Sequence, residues 1–141
     1  MSFHLSWEPR GVLRRYYGDV SIDERRRSLE LICADERFDN LRYSITNYLD
    51  VAGYEVSDEA TAEIAALHIA PLVTNRYIVI AAVATQPKII AAIEHFIELG
   101  FVSQPYRVFP TEVAARYWIS SHVQLSSLSF TPAHTAGYAQ P

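Results

Sequence analysis

Apolar and polar residues alternate from the start of the chain: Phe3, Leu5 and Trp7 are separated by His4, Ser6 and Glu8. A period of two belongs to a half-buried strand. Pro9-Arg10-Gly11 has turn chemistry, with Pro fixing φ and Gly free to take a positive φ. Val12–Tyr17 resumes the strand, so the chain is predicted to open with a β-hairpin that Gly18-Asp19 ends. Ser21-Ile22-Asp23-Glu24 has the pattern of a capping box, ahead of a helix over Ile22–Ala34 with Ile22, Leu29, Ile32 and Cys33 on one face. The next strand, Leu41–Asp50, turns Leu41, Tyr43, Ile45 and Leu49 one way and Arg42, Ser44, Thr46 and Tyr48 the other. Asn47 interrupts its apolar side, and Val51–Val56 reads as a loop containing Gly53.

Ser57 followed by Asp58-Glu59 is a second helix start, where the helix dipole favours negative charge. The helix predicted over Asp58–Val73 is apolar on two sides, with Ala60, Ile64 and Leu67 on one and Ala62, Ala66, Ile69 and Val73 on the other. Such a helix is covered on two sides. Its sheet is one cover, and a second subunit or the C-terminal tail is the other, so a homodimer is expected. Pro71 ends or bends this helix by removing a backbone donor. Tyr77–Ala84 has no alternation and reads as a central parallel strand buried on both faces. Pro87 opens a helix with the stripe Ile89, Ile90, Ile93, Phe96 and Ile97, and Gly100 stands at its C′ position. Tyr106–Phe109 is a short last strand, and Thr111 caps a last helix carrying Val113, Tyr117, Trp118 and Ile119.

Strands alternating with helices predict an α/β fold: a mostly parallel sheet of about five strands that opens with an antiparallel hairpin and continues in repeated αβ units. One domain is expected over residues 1–122, followed by a tail at 123–141 rich in Ser, Thr, Ala, Gly and Pro. A chain of 141 residues, half of them hydrophobic, can build a core without metal or disulfide. The net charge of −4 argues against a nucleic-acid binder. The single cysteine, Cys33, excludes an internal disulfide and suits a reducing cytosol. The N-terminus lacks signal-peptide organisation and the longest apolar run is too short to span a membrane, so a cytoplasmic protein is expected.

No phosphate-binding glycine loop, HExxH, CxxC or GxSxG motif occurs, and the five histidines are scattered. No cofactor or metal is therefore expected, and no catalytic residue is assigned. Arg25-Arg26-Arg27 is either a patch for an anionic partner or a solvated face paired with Asp23 and Glu30, the second being favoured. Tyr16-Tyr17, Tyr43, Tyr48 and Tyr54 either line a pocket for a small apolar or aromatic ligand or pack at a sheet edge. Functional groups gather beyond the carboxyl ends of parallel strands. Asn47, Tyr48, Asp50, Tyr54 and Ser57 are therefore the candidate ligand- or partner-binding residues. Ser57 itself has the position of an N-cap.

Three stretches carry a family resemblance: Gly11-Val12-Leu13 through Tyr17-Gly18-Asp19-Val20-Ser21, Arg42-Tyr43 through Asp50-Val51, and Tyr106-Arg107-Val108-Phe109 with Glu112 through Ile119. With the order of elements, they resemble the SpoIIAA-like branch of the STAS-like fold, related to anti-sigma-factor antagonists, over about Ser6 to Ser120. The resemblance implies a non-catalytic binding or regulatory module acting through a partner protein. It also implies that phospho-switch members carry a serine, in an Asp-Ser-Ser-Gly-like turn, before the helix that follows the third strand. Ser57 lies near that place, without the preceding acid or the glycine, and Asn47 stands where relatives often have aspartate. The alternative is a ligand carrier or an enzyme using the 47–57 region.

Overall fold

The computed structural model describes the backbone of residues 2–130 and the side chains of residues 2–123. The opening hairpin is β1 (Phe3–Glu8) and β2 (Gly11–Val20), followed by α1 (Ile22–Ala34), a single 3₁₀ turn at Phe38–Asn40, and β3 (Tyr43–Tyr54). Then come α2 (Asp58–Leu67), α3 (Ile69–Thr74), β4 (Val79–Val83), α4 (Pro87–Glu98), β5 (Tyr106–Phe109) and α5 (Glu112–Phe130). The five strands lie in the order β1-β2-β3-β4-β5, with β1 antiparallel to β2 and the remaining neighbours parallel. This is the α/β architecture expected from the pattern.

Each parallel connection steps one place in the same direction. Right-handed crossovers of that kind leave their helices on one face of the sheet. The clusters of buried residues follow. Tyr16, Tyr48, Val51 and Ala82 meet α4 through Ile89 and Ile93, while Val12, Ile78 and Ile80 meet α1 through Ile32 and α3 through Leu72. The opposite face, with Leu13, Ile45, Ala81 and Val83, is covered by α5 through Ala115 and Ile119. β4 is buried on both faces, which is why its sequence does not alternate.

Five features depart from the sequence pattern. First, β3 continues to Tyr54, so the segment expected as a loop is largely strand. Its pairing with β2 slips twice: Arg15 faces Asn47 but Tyr17 faces Asp50, and Gly18 faces Val51 but Asp19 faces Gly53. Each slip inserts one extra residue into β3 and turns the following side chains over. Tyr48, Val51 and Tyr54, three residues apart, consequently join one cluster.

Second, the helix expected over 58–73 breaks at His68. Pro71 has no N–H for the carbonyl of Leu67 and its ring crowds that carbonyl, so the helix restarts rather than continues. Ile69 and Val73, on the expected second apolar side, stand 45% and 68% exposed. Third, Ser21 caps α1 through a 3.2 Å bond from the Glu24 N–H, but Glu24 does not complete the box. It accepts instead from the backbone N–H and the hydroxyl of Ser2.

Fourth, the left-handed glycines among the described residues are Gly18 (φ 63°) and Gly100 (φ 76°), the latter ending α4 as expected, whereas Gly11 needs no positive φ. Fifth, α5 runs to Phe130, past the boundary expected at 122. The rest of the expected tail, residues 131–141, lies outside the described residues. Among the described residues no helix is long and apolar enough to cross a membrane.

Candidate functional site

Between the sheet and the helices of its crowded face lies a cavity of about 30 Å³. β2 contributes Arg14 and Tyr16, α1 Arg25, β3 Tyr48 and Tyr54, and β5 Tyr106. His68, at the break between α2 and α3, and Phe96 of α4 complete its far wall. Arg14 and Tyr16 are i, i+2 members of one strand face, and Tyr48 and Tyr54 of β3 lie on the same side, the two slips between them cancelling.

The rings pack edge to face or tilted: Tyr16 to Tyr48 at 5.5 Å, Tyr48 to Tyr54 at 5.4 Å, and Tyr16 to Tyr54 at 6.2 Å between centroids. Tyr106 stacks on Phe96 at 5.5 Å, and Phe96 on His68 at 5.1 Å. The Arg14 guanidinium lies 5.1 Å from the Tyr16 ring centre and that of Arg25 4.5 Å from the Tyr54 centre. These contacts put two cations against aromatic faces.

Ser28 of α1 ties the group together. Its hydroxyl receives an N–H of Arg14 at 2.9 Å, shares a hydrogen bond with the Tyr16 hydroxyl at 2.7 Å, and donates to the Arg25 carbonyl at 2.9 Å if the tyrosine proton points toward it. Burial raises the hydroxyls of Tyr16, Tyr54 and Tyr106 above the ordinary phenol range, so they are neutral donors. Burial also lowers His68 to about 4 and leaves it uncharged near neutrality. Its Nδ1 lies 2.8 Å from the Ile64 carbonyl, which can only accept, so Nδ1 carries the proton.

A second cavity of about 40 Å³ adjoins the first across Arg14, His68 and Tyr106 and is walled mainly by apolar side chains of α1, α3 and β4. Cys33 lines it, and burial pushes its thiol up to about 11, which makes it a packing group rather than a nucleophile.

The candidates chosen from sequence do not form one site. Tyr48 and Tyr54 line the first cavity. Asn47 faces the other side of the sheet, where its amide donates to Glu112 at 3.1 Å and its carbonyl accepts from the Leu49 N–H at 2.8 Å. Asp50 is exposed within β3, paired with Tyr17 of β2. Ser57 caps α2, accepting from the Ala60 N–H at 3.1 Å. Of the other tyrosines considered, Tyr17 is exposed, and Tyr43 donates to Glu8 on the α5 side.

Arg14, Arg25, His68 and Tyr106 were not among the candidates. Arg25 is buried at 6% exposure rather than part of a solvated face, while Arg26 bonds Asp23 at 2.6 Å and also Glu63. A signal for Arg25 did exist: with Leu29 and Ile32 it occupies the i, i+4, i+7 positions of the buried stripe.

No family model matches the chain, and no curated protein matches it. Solved structures do. The anti-sigma factor antagonist SpoIIAA in its unphosphorylated form superposes with a TM-score of 0.59 at 13% identity, over 84% of this chain and 97% of that one. An uncharacterized protein of the DUF3478 family with a SpoIIAA-like fold, from Shewanella loihica, superposes with a TM-score of 0.53 at 8% identity, over 83% of this chain and 91% of that one. The fold is SpoIIAA-like, as the resemblance implies.

Proposed function

We propose that this protein is a non-catalytic regulatory module of the cytoplasm that works by docking a partner protein at the carboxyl ends of β2 and β3. The observation that carries the reading is a pair of exposed apolar side chains, Tyr17 and Leu49, in the carboxyl-terminal halves of those two strands. The exposed acids Asp19 and Asp50 stand in the same strand halves, and Asp58 and Glu59 on the first turn of α2. An apolar centre with an acidic rim suits a partner whose own surface is apolar and ringed by Lys or Arg. The likeness to an anti-sigma factor antagonist supports the same reading. Affinity capture from the source cell tests it: a partner retained by the wild type should be lost with Tyr17→Ser/Leu49→Ser and weakened by Asp50→Lys. Retention of the same partners by both variants would defeat the reading.

Self-association through α3 belongs to the same proposal, because Ile69 and Val73 present apolar surface there. Light scattering at micromolar concentration should give a dimer mass, reduced to the monomer by Val73→Lys. A second reading, a small-molecule site, is favoured by the tyrosine-lined cavity, which is enclosed by both strands and helices.

A further inference from the structure

The cavity holds two guanidiniums and no acid. A guanidinium has five N–H donors and keeps its charge at any physiological pH. Arg14 uses three of them: Nε and an N–H of the second terminal nitrogen reach Thr46 Oγ1 at 3.2 and 2.9 Å, and one reaches Ser28. Arg25 uses one, on the Glu55 carbonyl at 2.8 Å. Among the described residues no carboxylate lies within ion-pair distance of either. Arg15, Arg26, Arg37 and Arg116, on the outside of the molecule, each have at least one. Charges taken out of water are normally paired, and in the wall of this cavity neither Arg14 nor the buried Arg25 has a carboxylate to pair with.

The rest of the wall adds donors without adding negative charge. Four tyrosines and an uncharged histidine surround the space, with apolar side chains of α2 and α4 between them. A free volume of about 30 Å³ is the room of about two waters. Two oxygens of a carboxylate have that footprint, and a planar carboxylate matches the donor fork of arginine. Nucleotides and lipids need pockets roughly ten times larger.

We propose that this cavity binds a small free carboxylate anion of a few heavy atoms, held by the unused N–H groups of Arg14 and Arg25 with tyrosine hydroxyls closing its shell. The proposal rests on the small-molecule reading of the cavity and goes beyond it by fixing the charge and size of the ligand.

Sodium acetate and its uncharged isostere acetamide separate the two claims, with sodium chloride holding ionic strength constant. Acetate should raise the melting temperature of the full chain saturably, while acetamide and chloride at the same concentration leave it unchanged. Arg25→Gln should weaken the apparent acetate affinity at least tenfold. Ring resonances of Tyr48, Tyr54 and Tyr106 should shift with acetate in the wild type, and those of exposed Tyr17 and Tyr77 should not, a readout that needs no variant to fold. Equal effects of acetate and acetamide would overturn the carboxylate proposal and leave the ligand reading standing. No effect of either on melting or on these rings would overturn both.

Discussion

Gly11 faces Tyr43 across β2 and β3 so closely that a Cβ on the glycine would stand 2.1 Å from the tyrosine ring. Real carbon contacts of that length do not occur, so the missing side chain, not a turn conformation, is what this position requires. The ring is not free to swing aside. Its hydroxyl donates to Glu8, whose carboxylate also receives two bonds from Arg116 at 2.9 and 2.7 Å. Gly11→Ala should therefore cost about 1–3 kcal/mol by overpacking. Urea denaturation checks it, and Gly11→Ala should become nearly neutral in a Tyr43→Ala background, where the ring is gone. An equal cost in both backgrounds would show that the ring is not the obstacle.

His68 makes stability depend on pH in one window. Its folded value of about 4 lies below the ordinary 6.5 because burial disfavours the imidazolium. The unfolded chain therefore binds the proton first, and stability falls as pH drops from 6.5 toward 4, then levels off for this group. The loss is at most roughly 3 kcal/mol. The charged groups facing the ring are Arg14 and Arg25, both of which oppose protonation. His68→Gln should flatten the stability profile between pH 6.5 and 4. An unchanged profile would mean that the ring is solvated.

Thr61 of α2 is 1% exposed, and its hydroxyl has no hydrogen-bond partner among the described residues. An unsatisfied buried hydroxyl costs about 1–3 kcal/mol. Thr61→Val keeps the β-branched shape and removes that group, so it should raise stability by about 1 kcal/mol. Thermal unfolding of the two proteins decides it, and a lower melting temperature for the variant would reveal a partner for the hydroxyl.

Where one physical rule governs an element, its sequence is transparent. The unbroken apolar run of β4 needs burial on both faces and has it, and the stripe of α4 packs Ile89, Ile93 and Phe96 as its spacing requires. β3 is different because alternation assumes an unbroken register. The first inserted residue reverses the faces after Tyr48 and the second restores them, so Val51 points where strict alternation does not place it. The cavity was harder to see for another reason. Arg25 breaks the rule that a charged residue marks the solvent face, and His68 and Tyr106 meet it only through packing between elements remote in sequence. Ser57 was legible as a cap, because capping is a local interaction.

Ser57 also yields the sharpest local test. It sits in extended geometry at φ −63° and ψ 153°, and its hydroxyl accepts the N–H of Ala60, one of the donors that the first turn of α2 leaves without a helical partner. Ser57→Ala should cost about 0.5–2 kcal/mol, while Ser57→Asp keeps an acceptor and gains from the helix dipole, so it should be close to neutral. A phosphate on the same oxygen meets opposing effects. The helix end favours it, but Asp58 and Glu59 follow directly and are exposed beside it. Its charge of about −1.5 to −2 would be repelled by both acids. Phosphorylation is accordingly expected to act on partner docking more than on stability. Ser57→Asp should fold with wild-type stability whatever it does to binding. A fall in stability as large as that of Ser57→Ala would show that the cap depends on the hydroxyl's own geometry and not on an acceptor at that position.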